Sequence, residues 1–144
     1  MRDILFRGKC KYRDGFVYGS HVVFPESKTQ KILVWNRADL DFDAIVVIPE
    51  TVGQYTGLTD RNGKKIFEGD ICDLNILVND HELVEISIKH GCVGFEPLDY
   101  DSVHEDGKKW KSFWISDEDE MWDPKYFSVI GNIHDNPELL EAKV

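Results

Sequence analysis

The 144 residues predict a mainly β protein with one short C-terminal helix. Three observations carry this. Short runs rich in Val, Ile, Phe, Tyr and Trp recur along the chain, among them "FVYGSHVVF" and "KILVW". Gly, Pro, Asn and Asp separate these runs and supply turn chemistry. In "LVEISIKHG" apolar and polar residues alternate strictly: Val84, Ile86 and Ile88 fall on one face, and Glu85, Ser87 and Lys89 on the other.

Taken in order, "ILFRGKCKY" and "FVYGSHVVF" form a hairpin around Arg13–Gly15. "KILVW" (Lys31–Trp35) is a further strand, "NRADLDFD" a polar connection, and "AIVVIP" a strand that Pro49 helps to end. "ETVGQYTGL" reads as a loop or partial strand. Asn62-Gly63 in "TDRNGKK" is the strongest short-range hairpin signal, expected as a type I′ turn with φ > 0 at both residues. "KKIFEGDICDLNILV" follows, and Gly69 allows it to bend where a strand changes direction. "CVGFEPL" continues from a glycine turn, "DYDSVHEDGKK" is a loop, and "WKSFWIS" is a short strand ended by "DEDE". "YFSVIGNIHD" closes the fold with Gly131 as a bulge. Asn136 as N-cap, Pro137 at the first helical position and Glu138 at the positive end then start a short helix. The organisation is an N-terminal β region over 1–52 and a C-terminal region over 53–144.

Composition narrows the function classes. Eight Phe, five Tyr and four Trp in a chain that is 42% hydrophobic supply a real core. The longest apolar run, "AIVVIP", is far short of the ~20 residues of a membrane helix. The three apolar residues of "MRDILFRGKC" make no secretory signal. A cytoplasmic protein is expected, with no membrane association. Cys10, Cys72 and Cys92 form no closely paired metal motif and read as reduced thiols. Net charge is −10 but uneven: residues 1–40 hold eight Lys or Arg against four Asp or Glu, and residues 96–123 hold three against ten. An acidic chain is a poor general binder of nucleic acid, although the basic N-terminal third, with Arg2, Arg7, Lys9, Lys11 and Arg13, keeps that alternative open.

The search for chemistry excludes more than it finds. A phosphate loop needs glycines between a strand and a helix, and those of "DRNGKKIFEGDI" lie between β segments. The five histidines have no i+2 or i+4 histidine partner. The carboxylates around Asp99–Asp106 lack calcium-loop spacing, since Val103 stands at the fifth position of a loop starting at Asp99. No metal and no cofactor are expected, and no catalytic residues are assigned; a metal-dependent hydrolase using the acidic cluster is kept as an alternative. An interaction surface is assigned to Trp110, Trp114 and Trp122 with Asp117, Glu118, Asp119 and Glu120. Phe113 and Trp114 are strand neighbours and face opposite ways. The aromatic supply and the many short strands together predict a homo-oligomer.

"QYTGLTDRNGKKIFEGDI" resembles the central signature of the YopX family of phage and prophage proteins. "ILFRGKCKYRDGFVYGS" is similar to that family's opening and "VIGNIHDNPELLE" to its ending, in the same order and spacing. The stretch Leu74–Tyr126 departs from the pattern. The resemblance implies a mainly β fold with an SH3-like small barrel in the C-terminal part. It implies the cytoplasm of a bacterial host and brings no activity or catalytic residue with it. It leaves an accessory, non-enzymatic role with a host or phage protein partner. The motif residues Gly57, Asn62, Gly63, Gly69, Asp70, Gly131, Asn132 and Pro137 all have structural explanations as turns, a bulge and a helix start.

Overall fold

A computed structural model describes residues 3–75, 82–98, 113–114 and 123–141. The chain divides into two compact units, Met1–Gly57 and Leu58–Val144. Both are antiparallel β, so the mainly β class holds.

The first unit is built from β1 (Phe6–Lys9), β2 (Phe16–Val23), β3 (Gln30–Asn36) and β4 (Asp41–Val46), with β5 (Gly53–Thr59) leading into the second unit. The order is β4-β3-β2-β1-β5. The expected β1–β2 hairpin is present, with Lys9 opposite Phe16 and Phe6 opposite Gly19. The polar connection after β3 is shorter than expected, because β4 already starts at Asp41, opposite Asn36. Beyond β4 the chain returns to β1: Cys10 bridges Val47, the Ile48 N–H donates to Lys9 O at 2.9 Å, and the Lys11 N–H to Val46 O at 3.0 Å. The four strands thus curl round onto themselves over an interior that holds Cys10, Ile32 and Val47. Gly8 lets Val47 approach, since a Cβ there would stand 3.0 Å from Val47 Cβ. A short 3-10 helix, Pro49–Thr51, precedes β5, which is a full strand rather than a loop.

The second unit holds β6 (Lys65–Phe67), β7 (Asp70–Leu74), β8 (Glu82–Lys89), β9 (Cys92–Pro97), β10 (Phe113–Trp114), β11 (Phe127–Asn132) and helix α1 (Glu138–Glu141). Five strands form a sheet of order β10-β9-β8-β7-β11. The sheet is compatible with an SH3-like barrel, and among the described residues it does not close. The alternation in β8 does what its sequence requires. Val84 and Ile86 are buried in one cluster with Ile66, Cys72, Leu74, Val93, Phe95 and Phe127, and Ile88 packs against it. Phe95 and Phe127 meet edge to face with centroids 5.4 Å apart. Full burial of each such ring contributes about 1.5–3 kcal/mol.

The Asn62-Gly63 turn is a hairpin turn of another type than expected. Gly63 has φ +79°, but Asn62 is not among the non-glycine residues at positive φ. The Gly63 N–H donates to Asp60 O at 3.0 Å, and the Asp60 N–H to Lys64 O at 2.8 Å. This is a type I turn followed by a left-handed glycine, the three-residue form of hairpin. The physical reason is Asp60, whose carboxylate accepts the Asn62 N–H and holds Arg61–Asn62 in the right-handed form. Gly63→Val is expected to lower stability by about 1–2 kcal/mol, because a β-branched residue resists positive φ. A shift in the urea midpoint measures this, and a Gly63→Asn variant should lose less.

Candidate functional site

The motif residues gather mainly at one corner of the second unit. Gly69 (φ +87°) joins β6 to β7, and its carbonyl accepts the Ile133 N–H at 3.0 Å. The Asp70 carboxylate, 1% exposed, accepts the Phe67 N–H at 2.8 Å and so clamps the same bend. On β11 the register against β7 shifts between Val129 and Gly131, which is the expected bulge. Gly131 leaves room there for the Asn136 side chain: a Cβ would stand 2.5 Å from Asn136 Oδ1 and would push it aside. That oxygen accepts the Asn132 N–H at 3.2 Å, so Asn136 ties the helix start back to β11 instead of serving as the simple N-cap read from the sequence. Asn132 Oδ1 in turn accepts the N–H groups of His134 and Asp135. Pro137 precedes α1, where the Leu140 N–H donates to the Pro137 carbonyl at 3.1 Å. Gly57 lies apart, at φ +86° within β5.

The residue that sequence reasoning missed is Asp60. It is 5% exposed. One carboxylate oxygen accepts the Asn62 and Lys64 N–H groups at 2.8 and 2.9 Å, and the other accepts the Val129 N–H at 2.9 Å. The corner is therefore a hydrogen-bonded joint whose polar groups serve the backbone.

Of the assigned interaction surface, Trp110, Trp122, Asp117, Glu118, Asp119 and Glu120 lie outside the described residues, as does the Asp99–Asp106 stretch. Trp114 falls in β10, opposite Gly94 of β9. Among the described residues no three His, Cys, Asp or Glu side chains are grouped to hold a metal ion. No helix among them is long and apolar enough to cross a membrane. His21 bonds to Gln30 at 2.7 Å and meets the Phe6 ring at a tilt of 41°, a structural use of an imidazole.

Two titratable environments stand out. Burial pushes the Cys72 thiol far up, and the carboxylates of Asp70 and Asp60 add to it. Cys10 is buried as well, whereas Cys92 is exposed. With an alkylating reagent at pH 8 one thiol, Cys92, is expected to react in the native protein, and all three once it is unfolded. Mass spectrometry of the labelled peptides reads this directly. Glu85 faces Glu96 across β8 and β9, and its carboxyl is raised by burial first and by the Glu96 charge second. Its folded form therefore holds a proton that the unfolded form has lost, so stability falls as pH rises above the ordinary value of 4.5. Glu85→Gln should match the parent in acid and exceed it at neutral pH by less than about 1 kcal/mol, since water still screens the site. Urea midpoints between pH 4 and 8 test the sign.

The strongest surface feature belongs to the first unit. Register places Tyr18, Ser20, Lys31, Leu33, Trp35 and Phe42 on the side of the strands opposite Ile32. Tyr18 is 49%, Trp35 49% and Phe42 53% exposed. Trp35 and Phe42 are cross-strand partners that meet edge to face at 5.1 Å.

These features define a small two-unit antiparallel β protein with a hydrogen-bonded joint and an exposed aromatic sheet face. Residues 5–141 match the family described as YopX protein, and the chain belongs to that family. No curated protein matches it. The fold is similar to the crystal structure of protein EF1440 from Enterococcus faecalis, at 21% identity and a TM-score of 0.55, covering 97% of this chain and 99% of that one.

Proposed function

We propose that this is a non-enzymatic accessory protein, phage- or prophage-encoded, that acts by binding a partner through the outer face of its first unit. The exposed ring row of Tyr18, Trp35 and Phe42 carries this reading. Large rings left half in water on a regular sheet contribute nothing to the core, and aromatic residues concentrate binding energy where they meet a partner. The joint of the second unit supports the same view, because its polar groups are spent on turns. The test is a Trp35→Ala, Phe42→Ala double variant in the phage- or prophage-carrying host. It should fold as the parent does by circular dichroism, yet lose whatever phenotype deletion of the gene produces. A variant that complements the deletion fully would overturn the assignment of this face.

A further inference from the structure

We infer that Asn62 is a chemical modification site: its side-chain amide is lost to the Gly63 nitrogen, at a rate that the Asp60 joint holds down. Two observations carry this, the openness of the pair in its turn and the bonds that tie it there.

Asparagine is a thermolabile residue, and the bulk of the residue after it governs how readily it reacts. The chain has six asparagines, and only Asn62 precedes glycine. After Asn75 and Asn132 the branched side chains of Ile76 and Ile133 crowd the reacting nitrogen. Arg37 and Asp80 crowd it after Asn36 and Asn79, and Pro137 after Asn136 has no N–H to lose. Asn62 and Gly63 are both exposed, and nothing lies within 4 Å of the point where a Cβ on Gly63 would stand. Water therefore reaches the pair, and the freedom of glycine lets its nitrogen turn toward Asn62 Cγ.

The step needs only solvent. The Gly63 nitrogen gives its proton to a solvent base and attacks Asn62 Cγ. The N–Cγ bond forms and the Cγ–Nδ2 bond breaks. Nδ2 takes a proton from water and leaves as ammonia. One water then opens the five-membered imide. Attack at Cγ gives aspartate, and attack at the main-chain carbonyl gives isoaspartate; nothing is oxidised or reduced.

In the folded joint both nitrogens are engaged. The Gly63 N–H donates to Asp60 O at 3.0 Å, and Asn62 Nδ2, the nitrogen that leaves, donates to Ser128 Oγ at 3.3 Å. The turn must open and break both bonds before Gly63 can attack, and exposed turns open locally without global unfolding. Modification then acts back on the joint. Neither product has a donor for Ser128 Oγ. Isoaspartate also lengthens the main chain by one carbon between residues 62 and 63. The Lys64 N–H lies beyond that insertion, so its bond to the Asp60 carboxylate is displaced, and the same carboxylate holds the Val129 N–H of β11. Loss of the amide thus loosens β11 irreversibly.

The test ages the full chain at pH 8 and 37 °C for several weeks, folded in buffer and unfolded in guanidinium chloride. A glutamate-specific protease releases Thr51–Glu68, in which Asn62 is the one asparagine. Mass spectrometry should show a gain of one mass unit there in the folded protein, with isoaspartate resolved by chromatography. The other asparagines should stay unchanged over the same time. Folded protein should react about tenfold more slowly than unfolded protein, as two ordinary hydrogen bonds require. Ser128→Ala, matched to the parent by circular dichroism, should speed the folded reaction several-fold and leave the unfolded rate alone. In the modified fraction amide exchange at Lys64 and Val129 should rise. A folded protein still intact at Asn62 when the unfolded one has been converted would overturn the site. Equal folded and unfolded rates, or a Ser128→Ala rate equal to the parent's, would overturn the role of the joint. Unchanged exchange at Val129 in the modified fraction would overturn the loosening of β11.

Discussion

Gly19→Ala is expected to unfold the first unit, or to cost it at least about 3 kcal/mol. The sequence "VYGSHV" shows a strand with a weak point, since glycine lacks a side chain to pack and loses more backbone freedom than alanine on folding. The structure shows why it is there. A Cβ on Gly19 would stand 2.0 Å from the Leu33 carbonyl oxygen and 3.0 Å from its carbon. That is backbone, and it belongs to the β2–β3 pairing that begins with Ser20 opposite Leu33. A flexible side chain could swing away, but this carbonyl moves only if the ladder moves. Gly19 is also the last residue of β2 paired to β1, opposite Phe6, so the methyl group lands where β2 passes from one neighbour to the other. Gly15→Ala is the control. It has φ +98° with nothing within 4 Å of the added carbon, so it should cost only the left-handed backbone penalty of about 1–2 kcal/mol. Amide exchange should place the Gly19 effect in β1–β4. A Gly19 variant with the parent's urea midpoint and exchange pattern would show that β3 imposes no such limit.

What could be read beforehand follows from how local each signal is. The β8 alternation, the β1–β2 hairpin, the bend at Gly69 and the bulge at Gly131 all lie in a few consecutive residues, and each stands where it was placed. The type of the Asn62 turn was misjudged because it depends on a side chain two residues away, Asp60. Asp60 carried no local signal, because its carboxylate serves β11 as well as its own turn, through the Val129 N–H 69 residues further on. The aromatic face was hidden for a similar reason. Alternation puts Tyr18 and Trp35 on some face, but only the paired registers show that Phe42 shares it and that Asp41 and Asp43 do not. The surface assigned from sequence rested on clustering of tryptophans with acids along the chain, which says nothing about which of them share a side.

Asp60→Ala should produce the second large loss, about 3 kcal/mol, and it should loosen β11 as well as the turn. Three backbone N–H groups share this carboxylate: Asn62 at 2.8 Å, Lys64 at 2.9 Å and Val129 at 2.9 Å. Alanine removes both acceptor oxygens at once and so leaves all three donors unpaired, and each donor left without an acceptor costs about 1–3 kcal/mol where water cannot replace it. The Asn62 and Lys64 amides belong to an exposed turn, so water recovers part of their loss. The Val129 amide lies one residue before the exposed Ile130 and at the edge of the register shift, where β11 depends on Asp60 to hold its end against β7. The effect therefore has a signature beyond its size. Amide exchange at Val129 should rise together with exchange at Asn62 and Lys64, though they are far apart in sequence. Asp60→Asn keeps the shape and one acceptor oxygen, so it should lose an intermediate amount and retain either the turn bonds or the Val129 bond. If Asp60→Ala raised exchange at the turn alone and left Val129 protected, the carboxylate would be a turn residue only, and the joint between hairpin and β11 would rest instead on the Arg61 N–H, which donates to the Phe127 carbonyl at 3.1 Å.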